Sequence, residues 1–255
     1  MNGKRKKKGQ VPNEEVDRLV NLLQKKDFAK VIKGAEILLS EFPESPVIWD
    51  SLAVAAAQKK DFDKAIYAFQ KVVFFQPKNA KAYYNLSVAL KVKGELDDAL
   101  KAYKSLIEIQ PNHPLAHNNM GNIFKIKGMQ KEAINAYRKA ISLKPNFAEA
   151  YNNLGATLND LGKSDEAINA LNQAISLKPN YAGAYLNLGI AFRNQERIDS
   201  SLKAFDQAIS IKPNYAEAFF GKGITFSKKQ RFNDAIMILN KAISLKYNYS
   251  EAHNQ

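Results

Sequence analysis

The chain has 255 residues, 45% hydrophobic and 25% charged, with 38 Lys and Arg against 25 Asp and Glu for a formal net charge of +13. That composition excludes a mainly disordered polymer, and zero cysteines exclude a disulfide scaffold, a thiolate metal site and a cysteine nucleophile. No apolar run approaches the ~18 residues needed to cross a bilayer, so a soluble, basic, cytoplasmic protein is expected.

Residues 1–11 carry Lys4, Arg5, Lys6, Lys7 and Lys8 and read as a basic disordered tail. From residue 12 the text is periodic. Pro43, Pro77, Pro111, Pro145, Pro179 and Pro213 stand 34 residues apart, and Tyr247 fills the next slot. Starting each unit three residues past a proline gives 12–45, 46–79, 80–113, 114–147, 148–181, 182–215 and 216–249. Residues 250–255 copy the opening of a unit, as in Ala216-Glu217-Ala218-Phe219, and are expected to start a truncated eighth. Ile236, Leu239 and Ile243 would then lack a following unit to pack beneath. A longer polypeptide would supply one, and self-association through this uncapped end is the other outcome.

Each unit reads as two helices. In 148–181, Tyr151, Leu154, Gly155 and Leu158 share one helical face. Gly162 interrupts the pattern, and Ala167, Ile168, Leu171, Ala174 and Ile175 restart it. Pro179 closes the second helix, because residues before proline are pushed out of the α region. Gly121, Gly155, Gly189 and Gly223 recur mid-helix, where glycine costs roughly 1 kcal/mol relative to alanine. Close approach of a neighbouring helix is the expected reason. No segment alternates with period two, so the fold class is all-α.

These residues resemble the tetratricopeptide repeat family, whose unit is also 34 residues long. The matching positions are the early aromatic (Trp49, Tyr83, Tyr151, Tyr185, Phe219), the Leu-Gly pair (Leu154-Gly155, Leu188-Gly189) and the second-helix alanine (Ala65, Ala99, Ala133, Ala167, Ala235). The aromatic four later (Phe69, Tyr103, Tyr137, Phe205) and the closing proline complete the match. The first unit departs with Arg18 and Leu19 in place of Leu-Gly, and the last with Lys222 in place of leucine. The resemblance implies a right-handed α-solenoid superhelix of antiparallel helix pairs whose first helices line a concave groove.

Asn85, Asn119, Asn153 and Asn187 each stand sixth in their unit. Asparagine is a mediocre helix former because its amide competes with the backbone, so four mid-helix copies call for a reason. In the resemblance the sixth position points into the groove. A carboxamide there can pair with both C=O and N–H of an extended peptide, whatever its side chains. Asn118, Asn122 and Asn152 enrich the same helices. The alternative is that the amides only tie neighbouring repeats together. The ladder is similar to that of the repeat domain of O-linked N-acetylglucosamine transferase-like proteins, which hold substrate polypeptide. The cationic positions of the family's carboxylate clamp are filled by Tyr84, Asn118, Asn152 and Asn187. Lys91, Lys125 and Arg193 share the twelfth position, with Asn159 between them. They would favour acidic ligands if they face inward, and would otherwise be solvated helix ends.

No catalytic residue, metal site or cofactor is expected. His113 and His117 are four apart, but His113 lies in a turn before Pro114 and His117 takes the aromatic slot. The acids are scattered without a convergent pair. Lys144, Lys178, Lys212 and Lys246 stand at second-helix ends, where a cation offsets the helix dipole, and no aromatic-interleaved basic motif appears. Nucleic acid is therefore not the expected partner. The expectation is a protein-interaction module for an extended peptide or partner helix. The alternative is the substrate-recruiting repeat region of a larger glycosyltransferase or sulfotransferase.

Overall fold

The computed structural model describes the backbone of residues 11–253 and the side chains of residues 11–245. The basic cluster Lys4–Lys8 and the side chain of Lys246 lie outside the described residues. Fourteen helices and no strand occur among those described, and the chain divides between Ala116 and His117 into two compact units.

The first unit contains α1 (Asn13–Gln24), α2 (Phe28–Glu41), α3 (Pro46–Gln58), α4 (Phe62–Phe75), α5 (Ala80–Lys93) and α6 (Leu96–Ile109). Each packs against the next, and α1 also touches α3. The division falls in the first turn of α7 (Pro114–Ile126). The second unit continues with α8 (Gln130–Leu143), α9 (Ala148–Asp160), α10 (Ser164–Leu177), α11 (Ala182–Asn194), α12 (Ile198–Ile211), α13 (Ala216–Lys228) and α14 (Phe232–His253). Here too each of α8 to α14 packs on its predecessor or successor, and α9 touches α11, which touches α13. First helices are thus neighbours of first helices, as a stacked-hairpin arrangement requires.

Local chemistry sets the helix ends. Asp27, Asp61 and Asn79 accept backbone N–H bonds from Lys30, Lys64 and Ala82, satisfying donors that a helix N-terminus leaves orphaned. His113 does the same through Nδ1, 3.1 Å from the Ala116 nitrogen, with Pro114 as the first helical residue. That turn position, not a metal site, accounts for His113. At the second-helix ends the backbone is extended ahead of proline, as at Lys144 (φ −140°, ψ 87°). The ammonium groups of Lys144, Lys178 and Lys212 lie 5.0, 4.8 and 4.2 Å from the ring centres of Phe147, Tyr181 and Tyr215. These lysines therefore stack on an aromatic three residues on, besides sitting at the negative helix end. Where Tyr247 replaces proline, α14 runs unbroken to His253, so residues 250–253 are still in that helix.

The turn within every hairpin is left-handed at the fifteenth position. Gly94, Gly128 and Gly162 take it with φ of 91°, 73° and 71°, and Lys26, Lys60, Glu196 and Gln230 take it with φ of 58° to 63°.

Within each hairpin of the second unit the two helices meet at the mid-helix glycine. A Cβ added at Gly155 would stand 2.6 Å from Leu171 Cγ and 3.2 Å from the Ala167 carbonyl oxygen. At Gly121, Gly189 and Gly223 it would stand 2.6, 2.7 and 2.7 Å from Tyr137, Phe205 and Leu239. The opposing residues Tyr137, Leu171 and Phe205 are fully buried. In the first unit the same position holds Ala53 and Ser87, both buried, so the spacing is set pair by pair. Around Gly155 the core gathers Leu154, Leu158, Ala167, Ile168 and Leu171, with Tyr151 and Ile175 packed against it.

Gly155→Leu is expected to overpack this contact and lower stability by about 1–3 kcal/mol. Gly155→Ala should lose less, because it regains roughly 1 kcal/mol of helix propensity. Urea unfolding midpoints measure both, and adding Leu171→Ala should make the Gly155→Ala loss smaller.

Candidate functional site

The second unit presents α7, α9 and α11 side by side, and their asparagines bond to one another. Asn153 on α9 donates through Nδ2 to Asn118 Oδ1 and Asn122 Oδ1 of α7, both at 3.1 Å. Asn187 on α11 donates to Asn152 Oδ1 on α9 at 2.9 Å. A longer contact of 3.4 Å runs from Asn152 Nδ2 to Asn153 Oδ1. The chain of amides therefore crosses three consecutive first helices. It is anchored from below by Tyr137 on α8, whose hydroxyl donates to Asn122 Oδ1 at 2.8 Å. Burial raises the pKa of that phenol above its ordinary value, which keeps it a donor.

Asn118 is buried, while Asn119, Asn122, Asn152, Asn153 and Asn187 are half-buried. These amides neither stand in bulk solvent nor vanish between hairpins. Among the described residues, Asn122 Nδ2 and Asn187 Oδ1 make no hydrogen bond. In the first unit, Asn85 on α5 is half-buried and forms no side-chain bond among the described residues.

The twelfth position makes contacts from one first helix to the next. Asn159 is buried, and its Nδ2 donates to the backbone oxygen of Asn187 at 2.8 Å. Arg193 repeats the geometry one helix on, with Nη1 3.5 Å from the Gly221 carbonyl oxygen. This column thus reaches the sixth residue of the next first helix instead of forming a solvated helix end. Lys125 on α7 instead pairs with Asp160 on α9 at 3.0 Å. In the first unit Lys91 is half-buried, and burial lowers its pKa. Hydroxyls finish the scheme: Thr157 and Thr225 bond to the carbonyl oxygens of Asn153 and Gly221, both at 2.8 Å.

Sequence reasoning singled out Asn122 but missed its partner Tyr137. The signal lies in the repeat itself. Asn122 faces a hydroxyl-bearing Tyr137, whereas the equivalent pairs Ala156/Leu171 and Ile190/Phe205 are apolar on both sides. No group of three or more His, Asp or Glu suited to a metal ion occurs among the described residues.

Tyr137→Phe is expected to cost about 1 kcal/mol, the ordinary net worth of one hydrogen bond. In a double-mutant cycle with Asn122→Ala the two losses should not add, since each removes the same bond.

Tetratricopeptide-repeat family models match residues 22–80, 89–128, 121–162, 157–196, 182–215 and 216–249. No curated protein matches the chain significantly. Among solved structures, MamA is 28% identical, with a TM-score of 0.58 over 65% of this chain and 97% of its own. YrrB, described as a TPR protein with an unusual peptide-binding site, is 27% identical, with a TM-score of 0.59 over 74% of this chain and 98% of its own. The Cut9–Hcn1 hetero-tetramer of the APC/C, at 20% identity, shares the fold, with a TM-score of 0.69 over 90% of this chain and 45% of its own. None of these relatives favours the recruiting arm of a transferase. No helix among the described residues is long and apolar enough to cross a membrane. With its hairpins, its opposed glycines and these matches in agreement, the chain belongs to the tetratricopeptide-repeat family and has that family's all-α solenoid fold class.

Proposed function

We infer that this chain is a protein-interaction module without a catalytic role of its own, holding an extended peptide along the first-helix face of α7, α9 and α11. The observation that carries the reading is the amide chain itself. Each carboxamide is fixed in orientation by its neighbour, yet Asn122 Nδ2 and Asn187 Oδ1 are left to serve a ligand as donor and acceptor. An extended peptide offers both partners at every residue. Amides already oriented lose little rotamer freedom on binding, which lowers the entropic cost of association. The peptide-binding site named for YrrB supports the same use of this fold. A cysteine-free chain is suited to the cytoplasm, where such a module would work.

Tying repeats and gripping peptide are both open to these amides, and one experiment separates them. Peptides selected from a random display library on the wild-type chain are titrated against the triple variant Asn119→Ala, Asn153→Ala, Asn187→Ala. The measurement is made well below the variant's own melting midpoint. The expected result is a loss of at least about tenfold in affinity, or ~1.4 kcal/mol, from a variant that is still folded. Unchanged affinity in the folded variant would leave the amides with the structural role alone.

A second reading concerns the exposed face of α14. Ile66, Ile134, Ile168 and Leu202 hold one repeat position and are 6%, 7%, 8% and 9% exposed, whereas Ile236 holds it at 59%. Ile243, on the same helix, is 65% exposed. We propose that two copies associate through this face of α14. Sedimentation equilibrium should then show a mass that rises with concentration, and Ile236→Asp should hold the chain monomeric. A wild-type mass that stays monomeric at high concentration excludes it.

A further inference from the structure

The amide face changes character toward α11 and α13. The fifth position of the units reads Asn118, Asn152, Leu186, Phe220, and the ninth reads Asn122, Ala156, Ile190, Ile224. Polar groups on α7 give way to apolar ones on α13. Leu186 and Ile190 lie one turn apart on α11, and Phe220 and Ile224 one turn apart on α13. The two helices are in contact. Phe220 is 56% exposed, although it is a large aromatic on the face of a well-packed helix.

Arg193 stands one turn beyond Ile190 on the same face of α11. Its guanidinium is half-buried and forms no ion pair among the described residues. Among the described residues it makes one long contact, 3.5 Å to the Gly221 carbonyl oxygen. Four carboxylates of neighbouring elements are engaged elsewhere. Asp206 pairs with Lys222 at 2.5 Å, Asp199 with Lys229 at 2.6 Å and Asp160 with Lys125 at 3.0 Å, while Asp165 accepts from Gln195 at 2.6 Å. A guanidinium carries five donors in a fork that fits a carboxylate, and leaving it half-buried without a counter-charge is unfavourable. Burial indeed lowers its pKa from the ordinary value.

We propose that the α11–α13 end of the face selects peptides in which an acidic residue adjoins a large apolar one. The carboxylate would pair with Arg193, and the apolar side chain would lie against Leu186, Ile190, Phe220 and Ile224. Charge complementarity identifies this occupant: the site supplies a cation without an ion-pair partner among the described residues, beside the exposed Phe220 and the half-buried Leu186, Ile190 and Ile224, and a basic or wholly polar peptide satisfies neither. Asn187, one turn before Ile190, supplies the acceptor for the peptide backbone. The inference rests on the peptide-holding reading and adds which sequences are held.

The test uses the full chain and three fluorescein-labelled nine-residue peptides, identical in a Ser-Asn background except for a central Asp-Phe, Lys-Phe or Asp-Ser pair. Fluorescence anisotropy should give the Asp-Phe peptide at least tenfold tighter binding than either of the others. Arg193→Gln should abolish the preference for Asp over Lys, and Arg193→Lys should restore part of it. Lys139→Gln on the exposed face of α8 changes net charge equally and should leave the preference intact, which separates a local partner from the general field of a basic protein. Circular dichroism melting confirms that each variant is folded. Equal binding of all three peptides to the wild type, or an unaltered preference in Arg193→Gln, overturns the inference and leaves the peptide-holding reading standing. If none of the three peptides binds while library-selected peptides do, the inference alone again falls. If neither set binds, both readings fall.

Discussion

Everything on the second unit's face depends on one contact, the approach of a second helix to a glycine in the first. A side chain at Gly155 would collide with Leu171 and with the Ala167 carbonyl. Without it, Leu171 and the α10 backbone seat directly against α9. The glycine loses helix propensity of roughly 1 kcal/mol, and the burial of a residue such as Leu171 returns about 1.5–3 kcal/mol. The packing term wins, so the sequence keeps the poor helix former. Repetition of this contact at Gly121, Gly189 and Gly223 gives successive hairpins the same internal geometry, and that regularity brings a residue on one first helix within hydrogen-bond reach of its counterpart on the next.

The amides show how a polar face can be rigid and receptive together. A lone asparagine on a helix surface rotates freely. Here Asn153 Nδ2 is claimed by two acceptors and Asn122 Oδ1 by two donors. Such a network polarises along its length and fixes each amide's orientation. The same bonds that join the hairpins thereby set the direction in which the remaining polar atoms point. Structural and recognition roles share these side chains.

Much of this was legible in the sequence and some was not. Proline spacing marks the unit, and the glycine column signals the close approach of a second helix. The hairpin turns were only half visible. Gly94, Gly128 and Gly162 mark them, but Lys26, Lys60, Glu196 and Gln230 adopt the same left-handed conformation without a compositional sign. The asparagine ladder was visible as a pattern, yet its bonding was not. A repeat period places Asn118, Asn152 and Asn187 on neighbouring helices, while the choice of donor and partner depends on angstrom-scale offsets. The twelfth column shows in the sequence as a pattern of charge, but not its bonding: Asn159 and Arg193 meet the next helix's backbone while Lys125 meets Asp160.

The left-handed turns distribute strain along the array. An L-residue with a Cβ held in that region is disfavoured by roughly 1–2 kcal/mol, and glycine avoids it. The three glycine turns fall in the third, fourth and fifth hairpins, and the four strained ones in the first two and last two. In a one-dimensional stack, local stability is a sum over neighbours. The amide face on α7 and α9 therefore belongs to hairpins whose turns carry no such strain, while Arg193 stands in one whose turn, at Glu196, does.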